Sequence, residues 1–427
     1  MGRNRSNNIL FVYTDFKIGG IQTQILEMCK HNNGEKNRGK VLILTEEYDL
    51  KLLSELRKFS DVWFLQDLLL DTTLNKNLLK LSNLFSPMCR YNKEAVSSLL
   101  HNIDACHVTN LFTFYFISSL LLKKTIEPLK VTLGFYHANE AVALSNDVAF
   151  YKSILNKIKF LSPSSIISTS TQTTKNISFI FDDAKKSKNI IEATLGVPRE
   201  ATFKNKDKNE VLSVLSIGRL IPFKTYNLHI LELVNNLKEE GCILHYTIIG
   251  DGPDYTKIYK YIDDKKLASQ VTLIKHVDYS ELDAYIDSAD VFIGSGTSLT
   301  LAAGRSCVSI IGIESNSLSN TYGYLSNTKG CNYHELGLDY PLPTFKECIL
   351  DLIAMNSETF NKIRYKNYQR SNDFSVTAFM KTFNQMNVSA DIYSGFRFTS
   401  YLSILSNLIQ SLIVDKGIKK TNISKKY

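Results

Sequence analysis

The 427-residue sequence has no apolar run of transmembrane length, so no spanning helix is expected from it. It has no Cys-x-x-Cys pair. The seven cysteines (Cys29, Cys89, Cys106, Cys242, Cys307, Cys331 and Cys348) are odd in number and scattered, which speaks against a disulfide framework or a zinc site and suits a reduced interior. A concentrated basic stripe is also missing. Lys plus Arg exceed Asp plus Glu by 50 to 42, a dispersed excess of +8 that suits anionic small molecules or an acidic membrane surface and excludes nucleic acid as the expected partner. The opening "MGRNRSNNILFVYT" passes from a polar start into a strand-like run without a charged–apolar–small leader, so a cytoplasmic protein is expected. Gly2 and Ser6 fit the short myristoylation pattern, which arises often by chance. The last absence is local: residues 291–311, "VFIGSGTSLTLAAGRSCVSII", contain no carboxylate.

What is present describes a globular chain, with 44% hydrophobic and 22% charged residues. Short apolar runs alternate with helical-period segments. Strands are expected at 8–14, 40–45, 61–65, 104–108 and 131–136, with helices at 21–30, 94–101 and 112–123 among them. The polar stretch "FKNKDKNE" (203–210) reads as a linker, after which strands recur at 211–218, 245–250, 270–274, 289–294 and 307–313, with helices at 226–239, 255–266 and 279–287. This alternation predicts an α/β protein of two Rossmann-like domains with parallel sheets, residues 1–203 and 204–373. A helix over 374–390 is expected to pack back toward the first domain, leaving a tail over 391–427. Within that tail, Phe398, Leu402, Leu405, Leu408, Ile409 and Leu412 fall at helical spacing and five lysines follow. Two readings stand: the stripe packs on the body or on another copy, or residues 396–427 make peripheral contact with an anionic membrane.

Three stretches carry chemistry, and a fourth supports them. In "LSIGRLIPFKTYN" (215–227), Arg219 and Lys224 follow a buried strand, at the end where open α/β sheets bind ligands. Together they suit a diphosphate, Arg as a bidentate donor and Lys as a point charge. "IIGDGPDYTKI" (248–258) is a strand, a tight turn and a helix with Asp254 as the expected cap, and reads as architecture. In "YTDFKIGGIQTQIL" (13–26), Gly19 and Gly20 allow a ligand close to the backbone at a helix start. In "GFYHANE" (134–140), His137 follows a strand end, with Glu140 close behind.

Taken in order, these pieces resemble the retaining GT-B glycosyltransferases, most closely family four (group 1), over roughly residues 8–386. "SIISTSTQTTKNI" (165–177) and "ATLGVP" (193–198) are similar to the family's strand–Ser–helix segment and its "pnGV" turn, "GRLIPFK" to "GRLvpeKG", and "IIGDGP" to "ivGdGp". "VTLIKHVDYSELDAYIDSADVFI" (271–293) is similar to the family's stretch ending in "ADvfv". The resemblance implies a nucleotide-sugar donor bound mainly by the second domain and an acceptor held mainly by the first. It implies Arg219 and Lys224 as the diphosphate pair, Gly19 and Gly20 as the loop over the donor phosphates, and His137 as a hydrogen-bond donor beside the transferred sugar. His276 would lie where the backbone touches the base, and the amides of Thr297, Ser298 and Leu299 would hold phosphate.

One part of the family pattern departs. Against "E-G-F-G-x-x-x-x-E-A-x-x-x-G-x-P", Gly294, Gly296 and Ala302 match, while Ile293 and Leu301 stand in place of the two glutamates. Leu301 cannot accept hydrogen bonds from ribose hydroxyls. The expectation is a metal-independent, hexosyltransferase-type enzyme without a cofactor. It would use a nucleotide-diphosphate sugar as co-substrate, a UDP-sugar rather than a GDP-sugar, and a cell-surface glycan or lipid-linked acceptor at the inner face of the membrane. The alternatives are a non-catalytic GT-B-like protein that stabilises a partner glycosyltransferase and a sugar-nucleotide epimerase.

Overall fold

The computed structural model describes residues 8–32, 39–122, 130–136, 149–159, 161–181, 187–198 and 202–386. His137, Glu140, the Gly2–Ser6 pattern and the tail over 391–427 lie outside these residues. The chain forms two compact units, one running to Ala193 and resuming at Thr382, the other Thr194–Lys381.

The first unit contains β1 (Ile9–Tyr13), α1 (Gly20–His31), β2 (Gly39–Ile43), α2 (Leu50–Phe59), β3 (Ser60–Phe64), α3 (Thr73–Leu81), α4 (Lys93–Leu100), β4 (Ala105–Val108), α5 (Leu111–Leu122), β5 (Lys130–Phe135), α6 (Ala149–Ile158), β6 (Ile166–Ser168), α7 (Thr171–Ile177) and β7 (Ile191–Glu192). Its strands lie in the order β3-β2-β1-β4-β5-β6-β7, every pair parallel. The β1–β4 junction is where strand order reverses. The core gathers Leu10, Val12, Leu42, Val108, Phe114, Phe116, Leu133 and Phe135. Inside the sheet, His107 is only 1% exposed. It faces its register partner on the next strand, with Nδ1 2.8 Å from Thr132 Oγ1 and Nε2 2.7 Å from the Tyr136 hydroxyl. Burial holds the imidazole neutral, its pKa lowered to about 3.

The second unit contains β8 (Ser213–Ile217), α8 (Tyr226–Glu239), β9 (His245–Ile249), α9 (Tyr255–Asp264), β10 (Val271–Ile274), α10 (Leu282–Ser288), β11 (Val291–Gly294), α11 (Gly296–Gly304), β12 (Val308–Ile311), α12 (Phe345–Ala354), α13 (Ser357–Arg370) and α14 (Val376–Phe383), whose end returns to the first unit. The strand order is β10-β9-β8-β11-β12, again all parallel. Alternate residues enter separate cores on the two faces. Val214, Ile248, Val291, Ile293, Val308 and Ile310 pack on one side, and Leu215, Ile249, Phe292 and Ile311 on the other.

The stretch 203–210 is not a free linker. Lys204 N donates to Ser306 Oγ (3.1 Å), and the Lys206 ammonium donates to the carbonyls of Ser288 (2.8 Å) and Ala289 (3.2 Å). Lys208 caps α12, donating to the carbonyls of Leu352, Ile353 and Met355 at 2.7–3.2 Å. The boundary therefore falls at Ala193–Thr194, ahead of the charged run. Charge made that run look solvated, whereas helix ends offered carbonyls to receive it. Asp290, 1% exposed, fastens the far end by accepting from Asn209 Nδ2 (2.9 Å), Ser213 N (3.0 Å) and Ser213 Oγ (2.9 Å). Asp290→Ala leaves these donors unsatisfied and is expected to cost roughly 1–3 kcal/mol, read as a lower urea midpoint.

The cysteines are unbridged. Five are buried, while Cys242 and Cys331 are partly exposed. Among the described residues no helix is long and apolar enough to cross a membrane, and no group of three His, Cys, Asp or Glu side chains is placed to hold a metal ion.

Candidate functional site

In the second unit strand order reverses between β8 and β11, the position at which open parallel sheets receive ligands. The loop leaving β8 carries Gly218 and Arg219, and the loop leaving β11 runs through Ser295 into α11. Their neighbourhood follows from register, Val291 pairing with Val214 and Phe292 with Leu215.

The Arg219 loop is backed by the turn after β9. Leu220 N donates to Asp251 O (2.9 Å), and Asp254 N donates to Leu220 O (3.1 Å). The approach is so close that a Cβ at Gly250 would meet Gly218 O at 2.0 Å, and one at Gly252 would meet Leu220 O at 2.2 Å. The Gly-Asp-Gly turn is thus a backing plate for Arg219. Asp254 stands at the cap position of α9, but its side chain makes no capping bond. Asp251 takes the local role, accepting from Gly252 N at 2.8 Å.

Arg219 is exposed. Lys224 is half-buried, its Nζ 2.9 Å from where a Cβ of Gly218 would stand. Neither side chain has a hydrogen bond or ion pair with another described residue. Burial lowers the Lys224 pKa, the charge of Glu314 opposes that shift, and Arg219 adds to it. Two adjacent cations with so little compensation are poised for an anion.

The start of α11 is open as well. Ser295 occupies its cap position without capping it. Its hydroxyl instead donates to Glu314 Oε1 at 2.6 Å and lies 3.2 Å from the Tyr226 hydroxyl. Because the Ser295 proton goes to Glu314, Tyr226 is left to donate to Ser295. The first-turn amides of Thr297 and Ser298 are therefore free of a side-chain cap, whereas Leu299 stands at the position whose amide bonds back to the cap residue's carbonyl. Thr297 and Ser298 are half-buried, and Leu299 is buried.

The loop after β12 joins the other two. Gly312 N donates to Gly294 O (2.7 Å), Ser315 N to Phe223 O (2.6 Å) and Thr225 Oγ1 to Asn316 O (2.6 Å). Gly312 also lies against the Tyr226 ring, which a Cβ there would meet at 2.5 Å. Glu314 was not singled out from the sequence. It lies outside every recognisable pattern, and only the β11–β12 register brings it to Ser295.

The remaining expected residues are dispersed. Ile293 is fully buried inside β11, and Leu301 packs partly buried on the apolar cluster around Leu215, Ile249 and Phe292. His276 follows β10 with its side chain 70% exposed, 4.0 Å from Asp278. In the first unit, Gly19 and Gly20 begin α1 beside the β1–β4 reversal. Gly19 is extended (φ −173°) and makes no side-chain cap, while Thr23 Oγ1 donates to both glycine carbonyls at 3.0 Å.

Residues 198–301 match the family described as glycosyl transferases group 1. A search of curated proteins finds no match. Among solved structures, a glycosyltransferase from Rickettsia africae is similar at a TM-score of 0.60 and 12% identity, covering 90% of this chain and 99% of its own. A TarM mutant from S. aureus, in complex with fondaparinux, alpha-GlcNAc-glycerol and UDP, is similar at 0.58 and 11%, covering 89% and 99%. The catalytic domain of starch synthase IV from Arabidopsis thaliana, bound to ADP and acarbose, is similar at 0.55 and 11%, covering 89% and 99%. At these identities the likeness shows the fold: two parallel α/β sheets as in GT-B glycosyltransferases.

Proposed function

We propose that this protein is a glycosyltransferase that takes a sugar from a nucleotide-diphosphate donor, a UDP-sugar rather than a GDP-sugar, with retention and without a metal ion. The observation that carries the reading is the pair of cations without an ion-pair partner among the described residues, Arg219 and Lys224, beside the uncapped start of α11 at the strand reversal. The match over 198–301 covers the same elements. In the reaction, the bond from the anomeric carbon to the β-phosphate oxygen breaks as the acceptor oxygen bonds to that carbon on the same face. The acceptor proton passes to the leaving phosphate, whose growing charge Arg219 and Lys224 neutralise. His137 donates a hydrogen bond to the transferred sugar, and the first unit holds the acceptor, a cell-surface glycan or a lipid-linked sugar. The reading carries a cytoplasmic location, at the inner membrane face where the acceptor is lipid-linked and 396–427 contacts it.

A second reading is favoured by Leu301, whose apolar packing leaves no acid at that place for ribose hydroxyls. It is a non-catalytic GT-B-like protein that stabilises a partner glycosyltransferase. A donor screen separates the two. Consumption of one nucleotide sugar, with an α- or β-linked product matching the donor's anomeric configuration, is expected of the enzyme. Absence of turnover and of nucleotide binding at millimolar ligand would sink it.

A further inference from the structure

The acid missing from 291–311 has a counterpart in space. Glu314 follows β12 at the carboxyl edge of the sheet, with its side chain 28% exposed. Its two oxygens are in different states. Oε1 is held by the Ser295 hydroxyl at 2.6 Å, whereas Oε2 accepts no hydrogen bond from a described residue and lies 3.9 Å from His334 Nε2. The other imidazole nitrogen of His334, Nδ1, is buried without a hydrogen-bond partner, which leaves Nε2 as the ring's accessible polar edge. The backbone fixes the pair, Glu314 N donating to His334 O at 2.9 Å. At this separation, one hydroxyl oxygen can stand about 2.8 Å from both atoms, donating its proton to Oε2 and accepting from Nε2–H. A phosphate cannot do this, since it would meet a carboxylate. The charge of Glu314 reaches Lys224, so the pair borders the phosphate-binding cations. Yet Glu314 forms no ion pair with Lys224: its anchored oxygen is turned to Ser295.

We propose that Glu314, with His334, is the hydroxyl-binding element of the donor site, accepting a ribose or pyranose hydroxyl that neither Ile293 nor Leu301 can accept. The inference rests on the donor reading above and assigns residues that determine which donor is held.

The test uses the full chain with Glu314→Gln, which still accepts from Ser295 but carries no charge, and measures binding of pyrophosphate, UDP, 2′-deoxy-UDP and UDP-sugars by calorimetry. Pyrophosphate has no hydroxyls, so its affinity in the variant is expected to be kept, or to rise slightly as the charge that reaches Lys224 is removed, which also certifies the fold. If Glu314 takes the ribose, UDP binds roughly ten- to a hundredfold more weakly in the variant and the preference for UDP over 2′-deoxy-UDP disappears. If it takes the pyranose, UDP follows pyrophosphate and the UDP-sugar alone weakens by that factor. His334→Phe should reproduce whichever pattern is seen. Unchanged affinity for every ligand overturns the proposal. A rise in affinity shared equally by pyrophosphate, UDP and the UDP-sugars also overturns it, since Glu314 would then act only as a counter-ion of Lys224. Failure of the unaltered protein to bind any nucleotide removes the donor reading and this inference together.

Discussion

Alanine at both Arg219 and Lys224 is expected to abolish the stabilisation that UDP confers. A hydrogen bond to a charged group contributes about 1.5–3 kcal/mol, so losing both raises Kd by roughly two to four orders of magnitude. At a ligand concentration of about 100 Kd, the unaltered protein gains about 2.7 kcal/mol, and the double variant gains almost none. The unliganded protein behaves differently. Lys224 is a cation disfavoured by burial and by Arg219, so its removal relieves a cost, and the melting temperature without ligand should be unchanged or higher. Thermal melts with and without nucleotide read both effects. A variant that loses stability without ligand, or keeps the UDP shift, contradicts the assignment.

Acid is expected to weaken the first unit through His107. Its folded pKa, about 3, lies below the ordinary 6.5, so between these values the unfolded chain binds the extra proton and stability falls as pH falls. The loss begins near pH 6.5, runs at about 1.4 kcal/mol per pH unit, and reaches about 3 kcal/mol at pH 4.5. Carboxylates elsewhere add their own pH dependence, so the measurement is a difference. Urea unfolding of the unaltered protein and of His107→Gln, at pH 7 and pH 4.5, should show a flatter pH response in the variant. Equal slopes would mean that His107 is not the buried neutral group described.

His107 and the Arg219 loop show what a sequence discloses. The Arg219 loop was readable because its parts are local: a buried strand, a glycine, and two cations five residues apart. Every strand of the second unit was readable for the same reason, since apolar runs flanked by turn residues repeat along it. His107 was not legible as a buried polar site. Within "DACHV" it is a histidine in a strand, and its partners Thr132 and Tyr136 become neighbours only through the β4–β5 register. The helices α2 and α3 were missed for another reason. Phe59 leads directly into Ser60 of β3, so α2 and the strand join without a glycine or proline to separate them. The caps that mark their starts, Asp49 and Thr72, were present but embedded in polar runs. Glu314 is the extreme case: its meaning lies in the direction of two side chains.

The burial of the cysteines has a practical consequence for following this site in solution. Burial raises the thiol pKa to about 12 for Cys29 and Cys307 and to about 11 for Cys348, and raises that of Cys106 further, so these sulfurs stay protonated and slow toward maleimides. Alkylation then falls first on Cys242 and Cys331, the two that retain exposure. Cys242 follows α8, while Cys331 stands three residues before His334. With Cys242 replaced by serine, a single fluorophore at Cys331 becomes an optical reporter beside the Glu314–His334 corner, responding to the hydroxyl-bearing part of a ligand as it arrives.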